Sequence, residues 1–258
     1  AVDTYEINSP RTGLYQSWVT ANDEGWTRYV LDEQEFNYHI LHDAEIRAGH
    51  LAAAYDTIIL PDHYSADLLV NGHQKGTMPP DYVGGLTATG INNLKEFVRD
   101  GGTLIFMNTT CNLATQEFKT PVRNILEKAR REEFNCVGSI LQAEFDLSHP
   151  VAYGLSNPQP IIFADSCAFD VYPSFTDKNA PRVVARYGGD NLLLSGWIYG
   201  QNLIQQKAAV VEVPMEKGRL ILLGFPVQYR AQPRSTFKLL FNSIFYGSVK
   251  TVSAQKER

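Results

Sequence analysis

The hydrophobic positions of this chain change period along its length. Unbroken apolar runs stand at Thr103–Met107 (TLIFM), within Tyr55–Leu60 (YDTIIL) and late at Gly218–Phe225 (GRLILLGF). Runs that short and that continuous predict strands buried on both faces, the habit of parallel sheets. Gly13–Trp18 and Tyr38–Leu41 read as further strands. Helical periods lie between them. Thr87–Arg99 sets Ile91, Leu94, Phe97 and Val98 on one face. Glu24 to Glu35 reads as a helix with Asp23 as its N-cap. Leu113 onward and Pro121–Arg131 read as two more, and Ser235–Tyr246 as a closing helix with Phe237, Leu240, Phe241 and Ile244 inward. After the second strand come His42-Asp43-Ala44-Glu45 and a short turn to Leu51.

The alternation of strands and helices over the first half predicts an α/β fold, a flavodoxin-like, doubly wound, mostly parallel sheet. From Phe134 the texture changes. Val137–Phe145, Ile161–Ala164, Arg182–Tyr187 and Ala208–Pro214 are β-like, and His149–Leu155 is turn-rich. They predict antiparallel additions to the same sheet rather than a second domain. Residues 64–86 hold Gly72, Gly76, Pro79-Pro80 and Gly84-Gly85 and form a long excursion after the third strand. An excursion of that length is usually functional or mobile. It serves either as a lid over the sheet edge or as a contact surface. Residues 1–12 read as a linker from an upstream domain, 13–247 as the domain and 248–258 as a polar tail. The start at Ala1, without Met or an apolar leader, reads as a mature or trimmed fragment.

Composition narrows the function. A net charge of -5 spread over 258 residues leaves no basic stripe, which argues against nucleic acid as a partner. No apolar run approaches the about 18 residues of a membrane span. Cys111, Cys136 and Cys167 are an odd set without metal spacing, although an oxidising compartment would allow one pair to bridge.

The chemistry gathers where strands end. Gly101–Ala114 (GGTLIFMNTTCNLA) is a strand, a tight turn and a helix, which puts Asn108, Thr109 and Thr110 at the carboxyl edge of the sheet. The ends of strands one and three bring Ser17, Trp18, Asp62 and His63 to that edge. Asp23, Glu24 and Trp26 follow strand one, and Arg230 follows the late strand. These residues make either a polar pocket with aromatic walls, or a Glu24–Arg230 ion pair under a loop with both tryptophans as partial core. Asn191 and Ser195-Gly196-Trp197 are pocket or loop-locking residues.

The stretches GLYQSWVTANDEGWTRYVLD, AYDTIILPD, LKEFVRDGGTLIFMN, HPVAYGL, NLLLSGW and KGRLILLGFPVQYRAQPRSTFKLLFN, in this order from about Gly13 to Phe245, resemble the glutamine-amidotransferase-like C-terminal domain of bacterial zinc carboxypeptidases of the carboxypeptidase A type. The resemblance implies a class I glutamine amidotransferase-like fold. It also implies a parent metallopeptidase with its zinc domain upstream, exported to the periplasm or the extracellular space. Zinc is expected only in that upstream domain, and no cofactor in this one. Partners are the upstream domain, a second copy, or a small ligand or peptide.

Amidotransferase chemistry needs a thiolate at the elbow, oxyanion donors and a His oriented by an acid. Here Asn108 takes the elbow position and Cys111 comes three residues later. Pro226–Gln232 holds no counterpart of the family's His-x-Glu pair, and all six histidines precede Pro150. The expected function is therefore a non-catalytic accessory or interaction domain. Cys111 is the remaining nucleophile candidate, against a buried structural thiol. His42-Asp43-Ala44-Glu45, with His149 downstream, matches the His-x-x-Glu zinc pair of carboxypeptidases, against a polar strand end. Two alternatives stand beside the accessory role. One is a hydrolase using Cys111 or Glu24. The other is a carbohydrate-associated module stacking sugars on Trp18, Trp26 and Trp197, because related folds serve as non-catalytic domains in some β-galactosidases.

Overall fold

In a computed structural model, which describes residues 5–172 and 180–251, the buried runs become neighbours in one sheet. The first half comprises β1 (Tyr5–Ile7), β2 (Thr12–Tyr15), α1 (Asn22–Glu33), β3 (His39–Leu41), α2 (Asp43–Ala48), α3 (Leu51–Ala54), β4 (Thr57–Leu60), α4 (Ala66–Asn71), α5 (Thr87–Arg99), β5 (Thr103–Met107) and α6 (Cys111–Glu117). The second half comprises β6 (Val122–Asn124), β7 (Ser139–Phe145), β8 (Gln159–Phe163), β9 (Phe169–Val171), β10 (Arg182–Tyr187), β11 (Leu193–Ser195), β12 (Ala208–Met215), β13 (Gly218–Leu223), α7 (Phe237–Gly247) and β14 (Val249–Thr251).

Strands β3-β2-β4-β5-β13 lie side by side in that order, all parallel. The pattern of β5 explains its central place. All five of its residues are buried. Leu104 and Phe106 enter one apolar cluster, with Ile46, Ile91, Leu94, Phe97 and Leu113 of the helices α2, α5 and α6. Ile105 and Met107 enter the other, with Leu31 of α1 and Leu239, Leu240 and Ile244 of α7. Helices thus cover both faces, as a buried parallel sheet requires.

The antiparallel strands extend the same sheet. β12 forms a hairpin with β13, β10 joins β12, and β7 pairs with β10, β8 and β11. Gly218 opens β13 where backbones touch: a Cβ there would lie 2.2 Å from the carbonyl oxygens of both Gly102 and Val98.

Several local expectations give way to longer-range contacts. Asp23 does not cap α1. The helix starts at Asn22 after an extended Ala21, and Asp23 lies in its first turn. The turn expected after His42 is α2 and α3, with the Glu45 carboxylate accepting from the His42 backbone N–H at 2.7 Å. The helix expected over Pro121–Arg131 is replaced by β6, which pairs with β9. Within the 64–86 excursion, Ser65 caps α4 by accepting from the Leu68 N–H at 3.2 Å, and His73 Nε2 donates to the Trp18 carbonyl oxygen at 3.0 Å. The excursion is fastened to the loop that follows β2. In the stretches read as linker and tail, β1 and β14 pair antiparallel. Residues 1–4 and 252–258 of those stretches lie outside the described residues.

Candidate functional site

Register builds the centre of the site. β4 and β5 run in parallel with Leu60 opposite Phe106. Two residues further on, Asp62 and Asn108 leave the two strand ends together. Asn108 Nδ2 donates to Asp62 Oδ2 at 2.7 Å, and the Thr109 backbone N–H donates to Asp62 Oδ1 at 2.9 Å. Asn108 stands at φ +49°, in the left-handed region that Asn tolerates better than most residues. Behind it, Thr110 Oγ1 accepts from the Met107 N–H at 2.8 Å. The strand-to-helix elbow is formed, and its tip carries an amide clamped by a carboxylate. Burial pushes the Asp62 carboxyl up, the Asn108 donor pulls it down, the Asp23 charge raises it again and Thr109 lowers it; the balance lies at about 7.

Two clefts meet at Asp62 and His63. One, of about 280 Å³, lies between the loop after β2 and the end of β4, lined by Gln16, Ser17, Glu24, Asp62 and His63 among others. The other, of about 350 Å³, takes in Asp23, Asp62, His63, Asn108, Asp165 and Tyr229. Both lie at the carboxyl edge where the strand order reverses beside β2, the place where open α/β sheets hold ligands. His63 is 6 % exposed. Its Nε2–H donates to the Val19 carbonyl oxygen at 2.8 Å, and its Nδ1 has no partner. Asn108 is 2 % exposed, and its Oδ1 has no partner either. Burial raises the Asp23 carboxyl and the charge of Arg230 lowers it, with a net rise.

The structure thus brings Asp23, Asp62, His63 and Asn108 to one cleft and Glu24 to the adjoining one. It does not bring in Trp18, Trp26 or Arg230. Glu24 pairs with Arg28, one helical turn on, at 2.7 Å, and not with Arg230. Arg230 is exposed, its guanidinium 5.1 Å from the centre of the Tyr229 ring. Trp18 stacks on His42 at 3.9 Å and meets the edge of Tyr82. Trp26 is 37 % exposed and packs against Tyr29. Neither tryptophan lines these clefts, whose aromatic contacts are Tyr15, Tyr64 and Tyr229. Trp197 stacks on Tyr199, so each of the three tryptophans has its own ring partner. Ser139 Oγ bonds the Trp197 carbonyl oxygen at 2.7 Å, a loop lock, while Asn191 lies on an exposed turn.

Cys111 is fully buried and its thiol donates to the Phe106 carbonyl oxygen at 3.5 Å. Burial, and then the neighbouring Cys167, push that thiol well above its ordinary range. A nucleophilic cysteine needs the opposite shift and access. Cys167 Sγ donates to the Asn108 carbonyl oxygen at 3.3 Å, under the elbow. The zinc-like trio is dispersed. His42 Nδ1 donates to the Gln16 carbonyl oxygen at 2.9 Å, Glu45 caps the His42 N–H, and His149 is buried against Glu212 at 2.7 Å. Among the described residues no three His, Cys, Asp or Glu gather as metal ligands. Asp165 and Tyr229 escaped the reading by strand ends. The usable signal was an Asp two residues past β8.

No protein-family model matches the chain, and no curated protein matches it. Solved structures do resemble it. A cytoplasmic protein of Salmonella typhimurium is 14% identical with a TM-score of 0.56, over 92% of this chain and 98% of that one. A second cytoplasmic protein, of Salmonella typhimurium LT2, is 11% identical with a TM-score of 0.55, over 93% and 99%. A β-galactosidase of Bacillus circulans sp. alkalophilus is 11% identical with a TM-score of 0.54, over 94% of this chain but 32% of that one. At these identities the likeness shows the shared α/β fold alone.

Proposed function

We propose that this chain is a ligand-binding accessory domain of the class I glutamine amidotransferase-like, flavodoxin-like kind, and that it carries out no thiol-dependent amide chemistry. The parallel strands count 2-1-3-4-5 across the sheet, which supports the flavodoxin-like assignment. One observation carries the functional reading. The elbow tip is Asn108, clamped to Asp62 at 2.7 Å, while Cys111 is buried beneath it. Without a thiolate, attack on an amide carbon has no nucleophile at the elbow. What is left is a polar cleft at a ligand-holding position.

The wider role rests on the sequence resemblance: a parent zinc carboxypeptidase-like protein, exported, with the metal and the peptidase activity in an upstream domain that this one docks on. That a β-galactosidase carries this fold over 32% of its length is compatible with an accessory place in a long chain. The two Salmonella proteins, matched over 98% and 99%, show that the fold also stands alone. The test is turnover and metal content of the purified chain. The reading expects no ammonia from glutamine, no release of a C-terminal residue from peptides and no stoichiometric zinc. Ammonia release that disappears in Cys111→Ser, or one zinc per chain, would overturn it.

A further inference from the structure

Two of the three thiols stand together beneath the elbow. Cys111 opens α6 and donates to the Phe106 carbonyl oxygen at 3.5 Å. Cys167 lies between β8 and β9 and donates to the Asn108 carbonyl oxygen at 3.3 Å, two residues further along the same strand end. Both belong to the apolar cluster on one face of the sheet, whereas Cys136 belongs to the cluster on the other. The backbones beside the pair are fastened to each other. Asn124 Nδ2 donates to Asn112 Oδ1 at 2.8 Å, and Asn124 Oδ1 accepts from the Ala168 N–H at 3.2 Å. One side chain thus joins the residues that follow the two cysteines. The sulfurs are also within reach of each other: after burial, a side-chain hydrogen bond with Cys167 is what raises the Cys111 thiol most. A bridge needs cysteines whose backbones are already held close, and this pair meets that need.

We infer that Cys111 and Cys167 form a disulfide when this chain folds under oxidising conditions, and that Cys136 stays a free thiol. The oxidant is a small-molecule disulfide such as oxidised glutathione. The thiolate of one cysteine attacks it, forming a mixed disulfide and releasing one glutathione thiolate. The thiolate of the other attacks the cysteine sulfur of that mixed disulfide and releases the second. The two cysteine protons end on the two glutathione thiolates, so the cysteines are oxidised and the glutathione disulfide is reduced. Burial keeps both thiols of the folded chain out of this exchange. The bridge therefore closes during folding, while the thiols are still exposed. It ties the first turn of α6 to the segment entering β9, and its main effect is to restrict the unfolded chain between residues 111 and 167. The pairing follows from the fold and does not depend on the accessory role, although an exported parent would meet such an oxidant.

The experiment refolds the full chain, reduced and unfolded in urea, in a buffer of oxidised and reduced glutathione. Remaining thiols are blocked with N-ethylmaleimide, and the peptides are mapped without reduction by mass spectrometry. The expected map joins the Cys111 and Cys167 peptides and finds Cys136 alkylated. The bridged chain should unfold at a higher urea midpoint than the chain refolded in dithiothreitol, and lose that shift once reduced. Cys136→Ala should keep the bridge and the shift, and Cys167→Ala should lose both. The map of the unaltered chain decides the pairing should either variant fold poorly. A bridge to Cys136, a refolded chain with all three thiols alkylated, or a Cys111–Cys167 bridge that lowers the midpoint each overturns the inference. None of these resembles the failure of the non-catalytic reading, which is turnover dependent on Cys111.

Discussion

Replacing Asp62 by asparagine probes how the elbow is held. In the folded chain the Asp62 carboxyl is raised from 3.8 to about 7, mainly by burial. Each pKa unit corresponds to 1.36 kcal/mol between protonation states, so ionised Asp62 costs the fold at most about 4 kcal/mol. The sign follows from proton binding. Between about pH 4 and about pH 7 the folded state keeps a proton that the unfolded state has released, so this group's contribution to stability falls as pH rises through that window. Above it the cost is complete and constant. Asp62→Asn removes the titration. It also leaves one acceptor oxygen for two donors, Asn108 Nδ2 and the Thr109 N–H, and an unmet buried donor costs about 1–3 kcal/mol. The variant should therefore be more stable than the parent by about 1–3 kcal/mol at about pH 8, and equal to it or weaker at about pH 4. Urea unfolding of both chains across this range, followed by tryptophan fluorescence, gives the difference directly. A difference that stays flat with pH, or a parent that gains on the variant as pH rises, would refute the electrostatic account of the elbow.

Other outcomes follow from the same contacts. Asn108→Ala loses a hydrogen bond to a carboxylate and keeps a left-handed backbone, and should cost about 2–4 kcal/mol in denaturant unfolding. Burial pushes the Glu212 carboxyl up, but His149, Arg219 and Arg182 pull it further down, to a net value below its ordinary 4.5. The stability it contributes should be present above that ordinary value and lost as pH falls through the depressed one. Glu212→Ala should cost about 3–5 kcal/mol by leaving buried His149 and its arginine neighbours without their partner, and calorimetry across the acid range checks both statements. Gly218→Ala should be among the most damaging small changes, costing at least about 1–3 kcal/mol, because two backbone carbonyls occupy the place of its Cβ.

What the sequence revealed was set by periodicity, and what it hid was set by pairing. The Thr87–Arg99 helix and the Thr103–Met107 strand were legible to the residue because one has a single apolar face and the other is apolar throughout. The juxtaposition of Asp62 with Asn108 was legible because neighbouring parallel strands end on the same edge. Val122–Asn124 was not, since it is a strand only through Phe169–Val171, far along the chain. The Glu24–Arg28 pair stood in the sequence at helical spacing and was passed over for a longer-range partner. Trp18 was placed at the edge correctly by its strand, but nothing local announced that His42 would stack on it and hold it out of the cleft lining. Asp165 follows an antiparallel strand whose place in the sheet depends on β7, so counting parallel strand ends missed it.

The central claim is that the elbow presents the amide of Asn108 and not a thiolate. Its most direct measurement is the rate at which iodoacetamide modifies Cys111 in the folded chain near neutral pH, compared with Cys136 and Cys167, with sites read by mass spectrometry. All three thiols are buried. The account predicts that modification follows unfolding, with no preference for Cys111 and rates that rise only as denaturant opens the fold. Rapid, selective labelling of Cys111 in the native chain would mean an accessible, low-pKa thiolate at the elbow and would contradict it.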